Sequence, residues 1–139
     1  MVPRRPILGD APMTTITITE YQDGVLLSLK EVVSRLPLEN AKAFRLKDFR
    51  MHYGRPLGMS LNEFETMTTM PTGLTLKLSE FKELLNSAFQ VIDGEIEIEL
   101  LSDGEPQMLT LECIDATCWQ ISTESNWVEK MLCERGFAM

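Results

Sequence analysis

Hydrophobic and polar residues alternate along several short segments of this chain, which predicts β-strands that each bury one face. Residues 14–20 alternate strictly and are rich in β-branched side chains, and a turn signal follows at residues 22–24. Residues 43–51 and 74–78 predict two further strands. A β-meander is predicted for three successive segments near the C-terminus, residues 95–101, 107–114 and 117–122.

Helical spacing of apolar residues predicts two amphipathic helices. The first begins at the cap residue Ser79 and ends at Asp93 and Gly94, and its apolar stripe consists of Phe81, Leu84, Leu85, Ala88, Phe89 and Ile92. The second begins at Ser125 or Thr123, and its stripe consists of Trp127, Val128, Met131 and Leu132. Shorter helical segments are predicted before Pro37 and after Ser60.

These elements predict one α+β domain with a mostly antiparallel sheet, built from β-hairpins and a meander, and two amphipathic helices. A chain of 139 residues with 44% apolar residues holds one ordinary core. Prolines at three positions make residues 1–13 a flexible arm, which leaves residues 14–139 as the domain. No apolar run approaches the roughly 20 residues that a membrane-spanning helix needs.

Residues typical of catalytic sites are scarce, which predicts a protein that is not an enzyme. His52 is the only histidine and has no nucleophile motif beside it. Glu95, Glu97 and Glu99 share one strand face, but their alternation with isoleucine is typical of any solvent-facing strand.

Cysteine spacing predicts reduced thiols rather than a metal site. Cys113 and Cys118 are five residues apart, unlike the ligand pairs of zinc knuckles, and Cys133 leaves the set odd. The sequence therefore predicts no metal, no cofactor and an intracellular location in the cytoplasm or nucleus.

The net charge of −8 is distributed unevenly. Residues 79–139 hold thirteen acids and three bases (3 − 13 = −10), whereas residues 1–78 hold ten bases and eight acids (10 − 8 = +2). One short segment carries a basic run with a single acid, Asp48; its bases are Lys42, Arg45, Lys47, Arg50 and Arg55. Two interpretations stay open, a solvated strand and a polyanion-binding stripe.

The second interpretation predicts a platform for single-stranded nucleic acid, which needs cations along the phosphates and aromatic faces for the bases. Period-two alternation places Arg45, Lys47 and Phe49 on one face of the strand, with Phe44, Leu46 and Asp48 on the other. Further basic and aromatic residues follow immediately after Phe49, namely Arg50, His52, Tyr53 and Arg55.

A family resemblance favours the same function. Residues 71–85 (PTGLTLKLSEFKELL) resemble the last strand and helix of the transcriptional coactivator family called positive cofactor four, and residues 44–49 (FRLKDF) resemble its alternating hydrophobic and basic strand. The resemblance covers about residues 14–93 and implies a β-β-β-β-α module that binds single-stranded DNA in transcription, replication or repair.

The resemblance also implies specific residues. The implied DNA contacts are Arg45, Lys47, Phe49, Arg50, Tyr53, Arg55 and Lys77. The implied homodimer contact is the helix stripe Phe81, Leu84, Leu85 and Phe89. From the stripe alone, packing on the chain's own sheet is an equal alternative.

A second function class stays open, a protein-interaction module such as a small acidic inhibitor, an immunity protein or a chaperone. Its evidence is the acidic C-terminal part, which suits a basic protein partner, and the exposed edge strands of a meander.

Overall fold

The computed structural model of the protein describes residues 13–22, 24–87 and 89–137, so almost all of the predicted N-terminal arm lies outside the described residues. The strands are β1 (Thr14–Ile18), β2 (Tyr21–Gln22), β3 (Val25–Leu26), β4 (Ala41–Gly54), β5 (Leu74–Leu76), β6 (Phe89–Ser102), β7 (Glu105–Ile114) and β8 (Cys118–Thr123). The helices are α1 (Leu29–Val33), α2 (Leu61–Thr69), α3 (Leu78–Leu85) and α4 (Asn126–Glu134).

Six of the strands form one antiparallel sheet in the order β1-β8-β7-β6-β4-β5, while β2 and β3 form a small separate hairpin. The predicted α+β class with a mostly antiparallel sheet is therefore confirmed. Because β1 pairs with β8 and β4 pairs with β6, the strands between residues 94 and 123 complete the same sheet as β1, β4 and β5.

The core lies on one side of the sheet, where the helices pack. Phe44 of β4 and Phe81 of α3 stack with their ring centroids 4.0 Å apart, and both are fully buried. Val128 and Leu132 of α4 and Val32 of α1 are also fully buried. Among the described residues, no helix has both the length and the apolar character that crossing a membrane requires.

The prediction of one helix from Ser79 to Asp93 is wrong. Helix α3 ends at Leu85, and the chain enters β6 at Phe89, where Val91 pairs with Met51 and Asp93 pairs with Arg50. Apolar residues between 88 and 92 fit a helical stripe, but pairing with β4 gives this stretch its ladder hydrogen bonds. The predicted capped segment after Ser60 is confirmed as α2, which has a complete capping box with Glu63.

A β-bulge in β4 corrects the predicted position of Phe49. Lys47 pairs with Glu95 and Arg50 pairs with Asp93, so Asp48 and Phe49 together oppose Gly94 alone. Asp48 takes the left-handed backbone conformation, with φ of 53°, which aspartate tolerates better than most residues. The extra residue reverses the alternation, and Phe49 points into the core with only 1% of its surface exposed.

The space around Phe49 is built for it. Its ring lies edge-on to Phe64 of α2 at a centroid distance of 6.0 Å. A β-carbon on Gly94 would lie 2.7 Å from the Phe49 ring, so the glycine is required there. The backbone N–H of Phe49 donates to the hydroxyl of buried Thr68 at 3.0 Å, which satisfies the amide that the bulge removes from the ladder.

We expect Phe49→Ala to lower the free energy of unfolding by about 3–5 kcal/mol, because a buried ring leaves a cavity when it is removed. Denaturant unfolding followed by circular dichroism measures this change. The matched control is Tyr53→Ala, at a side chain that is 53% exposed, and we expect it to change stability by less than about 0.5 kcal/mol. Equal costs for the two variants would contradict the inward position of Phe49.

Candidate interaction surface

The side of the sheet opposite the helices, called the open face from here on, is formed by side chains in regular cross-strand rows. One row runs across all six strands through Thr75, Arg45, Glu97, Thr110, Ser122 and Thr15. The next row runs through Lys47, Glu95, Glu112, Gln120 and Thr17. These two rows contain no aromatic residue and are polar throughout, whereas the row beside them contains Ala43, Glu99 and the exposed Met108.

Cations of β4 and carboxylates of β6 form a ladder of ion pairs along one half of the open face. Arg45 donates from Nε to a carboxylate oxygen of Glu97 at 2.8 Å. Lys47 Nζ lies 3.5 Å from Glu97 and 3.9 Å from Glu95. At the two ends of the ladder, Lys42 Nζ lies 3.7 Å from Glu99, and Arg50 binds Asp93.

The other half of the open face is uncharged apart from Glu112. Thr15 of β1 and Ser122 of β8 lie opposite one another with their hydroxyl oxygens 3.4 Å apart. Thr110, Gln120 and Thr17 complete this part of the two rows. The open face therefore divides into a basic stripe on β4, an acidic stripe on β6 and a hydroxyl-rich and amide-rich region from β7 to β1.

The predicted DNA contacts do not form one exposed platform. Arg45 and Lys47 lie on the open face as predicted, but each faces glutamates, and Phe49 lies on the opposite side of the sheet. Arg50 joins the ladder through Asp93. The three remaining residues lie elsewhere: Tyr53 is exposed near the end of β4, Arg55 donates to the carbonyl of Gly58 at 3.0 Å, and Lys77 is exposed at the start of α3.

The predicted dimer contact is corrected by burial within the chain. Phe81 and Leu84 of α3 are fully buried in the core of the single chain, and Leu85 packs against it. Phe89 belongs to β6 rather than to the helix. Phe81 and Leu84 thus pack on the chain's own sheet, which was the alternative interpretation, and a homodimer stays a prediction.

Two neighbouring carboxylates of β6 have pKa values shifted in opposite directions. Hydrogen bonds from Arg50 and from the backbone N–H of Asp115 lower the pKa of Asp93. Desolvation raises the pKa of Glu95, and the nearby charges of Glu97, Glu112 and Asp48 raise it further, although Lys47 opposes them. Glu95 also lies directly opposite Glu112 of β7, so two carboxylates adjoin at this point of the open face, with Lys47 3.9 Å from Glu95.

Sequence reasoning identified Glu95, Glu97 and Glu99 as solvent-facing but missed the pairing of Glu95 with Glu112. The signal was present, because the turn residues Asp103 and Gly104 favour a tight hairpin. Ser102 pairs with Glu105 across that turn, and counting back along both strands brings Glu95 opposite Glu112.

The residues considered for metal or nucleophile chemistry do not converge. Burial raises the pKa of the Cys113 thiol to about 12, while Cys118 is half-buried and Cys133 is exposed. Within residues 13–22, 24–87 and 89–137, no group of three or more histidine, cysteine, aspartate or glutamate side chains is placed to hold a metal ion.

Comparison with protein-family models, with curated proteins and with solved structures finds no match to this chain. The resemblance of residues 14–93 to the coactivator family therefore stays a prediction. In the sheet, β1 pairs with β8 and is separated from β4 by three strands. The strands within residues 14–93 therefore do not form a continuous sheet without β7 and β8.

We expect Glu95→Gln to stabilise the fold at pH 7 by about 0.5 kcal/mol, because like charges at opposite cross-strand positions cost roughly 0.2–1 kcal/mol. The raised pKa of Glu95 means that its charged form destabilises the folded state above that pKa. As the pH falls through the folded pKa, the parent becomes protonated and the advantage of the variant should disappear. Thermal unfolding across the range from pH 7 to acid measures this difference.

The control is Glu105→Gln, which removes the same charge from an exposed residue beside the β6–β7 turn. This variant should lie within about 0.3 kcal/mol of the parent across the same pH range. An advantage of Glu95→Gln that persists unchanged in acid would contradict the electrostatic cause.

Proposed function

We propose that this chain is a non-catalytic, intracellular protein-interaction module that binds a basic segment of a partner protein on its open face. The observation that carries the proposal is the acid surplus of a sheet face that the described residues leave uncovered. The three central strands place four bases there, Lys42, Arg45, Lys47 and Arg50. The same strands contribute six acids, Asp48, Asp93, Glu95, Glu97, Glu99 and Glu112.

The position of the surplus supports a cationic ligand over an anionic one. Each base of the ladder already has a carboxylate within 4 Å, so an incoming phosphate would have to displace a glutamate or an aspartate and would face its neighbours. An incoming lysine or arginine would instead reduce the repulsion between Glu95 and Glu112. Three free thiols support the intracellular part of the proposal.

Binding of single-stranded DNA in transcription, replication or repair stays a prediction with weaker support. Its remaining evidence is the exposed ring of Tyr53 near Arg50 and Arg55 at the end of β4. Against it, the ring expected beside Arg45 and Lys47 is buried, and stacking on aromatic rings supplies about 1–3 kcal/mol per base at such sites.

The proposal is tested with a fluorescent oligolysine peptide as the probe, and anisotropy measures its binding to the purified chain at low and moderate salt. We expect Glu95→Gln with Glu112→Gln to weaken binding about threefold to tenfold, because each exposed charge contact contributes roughly 0.2–1 kcal/mol. The matched control is Asp103→Asn with Glu105→Gln, which removes the same two charges at the β6–β7 turn.

The control separates a specific surface from general attraction to an acidic chain. If both double variants weaken peptide binding equally, the peptide responds only to the net charge of −8, and the proposed role of the open face is wrong. If the control keeps the affinity of the parent while Glu95→Gln with Glu112→Gln weakens binding, the peptide binds at the opposed carboxylates Glu95 and Glu112.

One double variant distinguishes the two function classes because they predict opposite effects. Arg45→Gln with Lys47→Gln releases Glu97 and Glu95 from their cations, so we expect oligolysine binding to strengthen about twofold to fivefold. The DNA hypothesis instead predicts salt-sensitive binding of labelled oligothymidylate by the parent and a loss of about tenfold in the variant. Tight binding of oligothymidylate that this variant abolishes would favour DNA and exclude the open-face proposal.

A further inference from the structure

Within the part of the chain that the structure describes, the outer edge of β1 lacks the features that usually prevent sheet edges from pairing with other strands. Strand β1 is the last strand of the sheet, and among the described residues only β8 pairs with it. Its five residues, Thr14–Ile18, are all β-branched and include no charge, proline, glycine or bulge. Natural edge strands are usually protected by one or more of these devices, so this edge is chemically suited to strand addition.

The opposite edge of the sheet is protected in the expected way. Strand β5 has only three residues, Leu74–Leu76, and it lies between the turn glycine Gly73 and the exposed Lys77. Because the chain enters α3 directly after Lys77, the strand has no room to extend. Of the two sheet edges, only the β1 edge is therefore suited to strand addition.

We infer that β1 pairs antiparallel with β1 of a second copy of this chain, about a two-fold axis at Ile16. In this register Ile16 lies opposite Ile16, Thr15 lies opposite Thr17, and Thr14 lies opposite Ile18. Opposite residues of an antiparallel pair share a face. On the core side Ile16 meets Ile16, and each Thr14, whose hydroxyl donates to Glu129 at 3.0 Å, meets Ile18 of the other copy. On the open face Thr15 meets Thr17, so the strand is complementary to itself at its central isoleucine and along its threonine hydroxyls.

Charge favours a second copy over a different protein as the occupant. A partner of another kind would be selected by complementary charges, and β1 carries none. Self-pairing of an uncharged strand brings no like charges into direct opposition. The remaining repulsion comes from the net charge of −8 on each copy, and salt screens this repulsion between exposed charges.

The interface is small, so the dimer should be weak. Pairing of five residues per copy falls well below the roughly 1,200–2,000 Å² that stable complexes bury. We therefore expect partial association at protein concentrations of about 0.1–1 mM, and association should increase when salt is added. The inference concerns the edge of the sheet and does not depend on the proposed ligand of the open face.

Two double variants test the register through sedimentation velocity of the full chain over this concentration range. Thr15→Lys with Thr17→Lys should weaken association at least about tenfold, because the register places lysine opposite lysine twice. Thr15→Lys with Thr17→Glu places opposite charges together twice, so association should return to within about threefold of the parent or become tighter. Both positions are exposed, so both variants should fold.

The matched control moves the same two charges one strand inward. Ser122 and Gln120 of β8 are the register partners of Thr15 and Thr17, so Ser122→Lys with Gln120→Lys should leave association within about twofold of the parent. A parent that remains monomeric throughout would overturn the inference. Association that is unchanged by Thr15→Lys with Thr17→Lys would also overturn it. The same holds if Thr15→Lys with Thr17→Glu fails to restore association.

Discussion

The bulge at Asp48 determines what each side of the sheet presents. One residue in the left-handed conformation adds a position to β4, and Phe49, Arg50 and Met51 change face relative to a regular strand. Phe49 and Met51 thereby enter the core, while Arg50 remains beside Asp93 on the open face. Helix α2 stabilises the distortion, since Thr68 accepts from the Phe49 amide and Glu65 accepts from the Met51 amide at 2.8 Å. The inward position of Phe49 and the place of Arg50 at the end of the ion-pair ladder both depend on this bulge.

Local patterns predicted the elements whose stability is local. The capping box after Ser60 was sufficient because Ser60 and Glu63 are neighbours in sequence, and the alternation of residues 95–101 was sufficient because it fits only the period of a strand. The stretch around Val91 was mispredicted because its apolar positions fit both a helix and a strand. Pairing with β4, some forty residues earlier, decides for the strand, as the Val91 and Met51 pair shows. The bulge was missed because period-two counting assumes a regular strand. Asp48, a residue tolerant of positive φ within an apolar alternation, was the available signal.

Charge along the chain gave a misleading picture of charge on the surface. Residues 42–55 form a basic run in sequence, and such a run predicts a site for polyanions when it is considered alone. The sheet brings carboxylates from about fifty residues away against it, as in Arg45 and Glu97, which are separated by 52 positions. Exposed pairs of this kind contribute little to stability, yet they determine which ligand charge the surface can accept. The acid surplus appears only after strand pairing is known, because Glu112 comes from a third strand.

The open face and the β1 edge are connected by geometry, although their chemistry differs. Antiparallel pairing of β1 with β1 keeps the open faces of both copies on the same side. The two six-stranded sheets would then form one twelve-stranded sheet with all helices on the other side. The acidic stripes of the two copies would then face the same direction, separated by the uncharged region from β8 to β1. A partner with two basic segments could contact both stripes, and the second contact would gain from its high effective concentration. Weak edge pairing and weak charge contacts would therefore reinforce one another, since each brings the groups that form the other closer together.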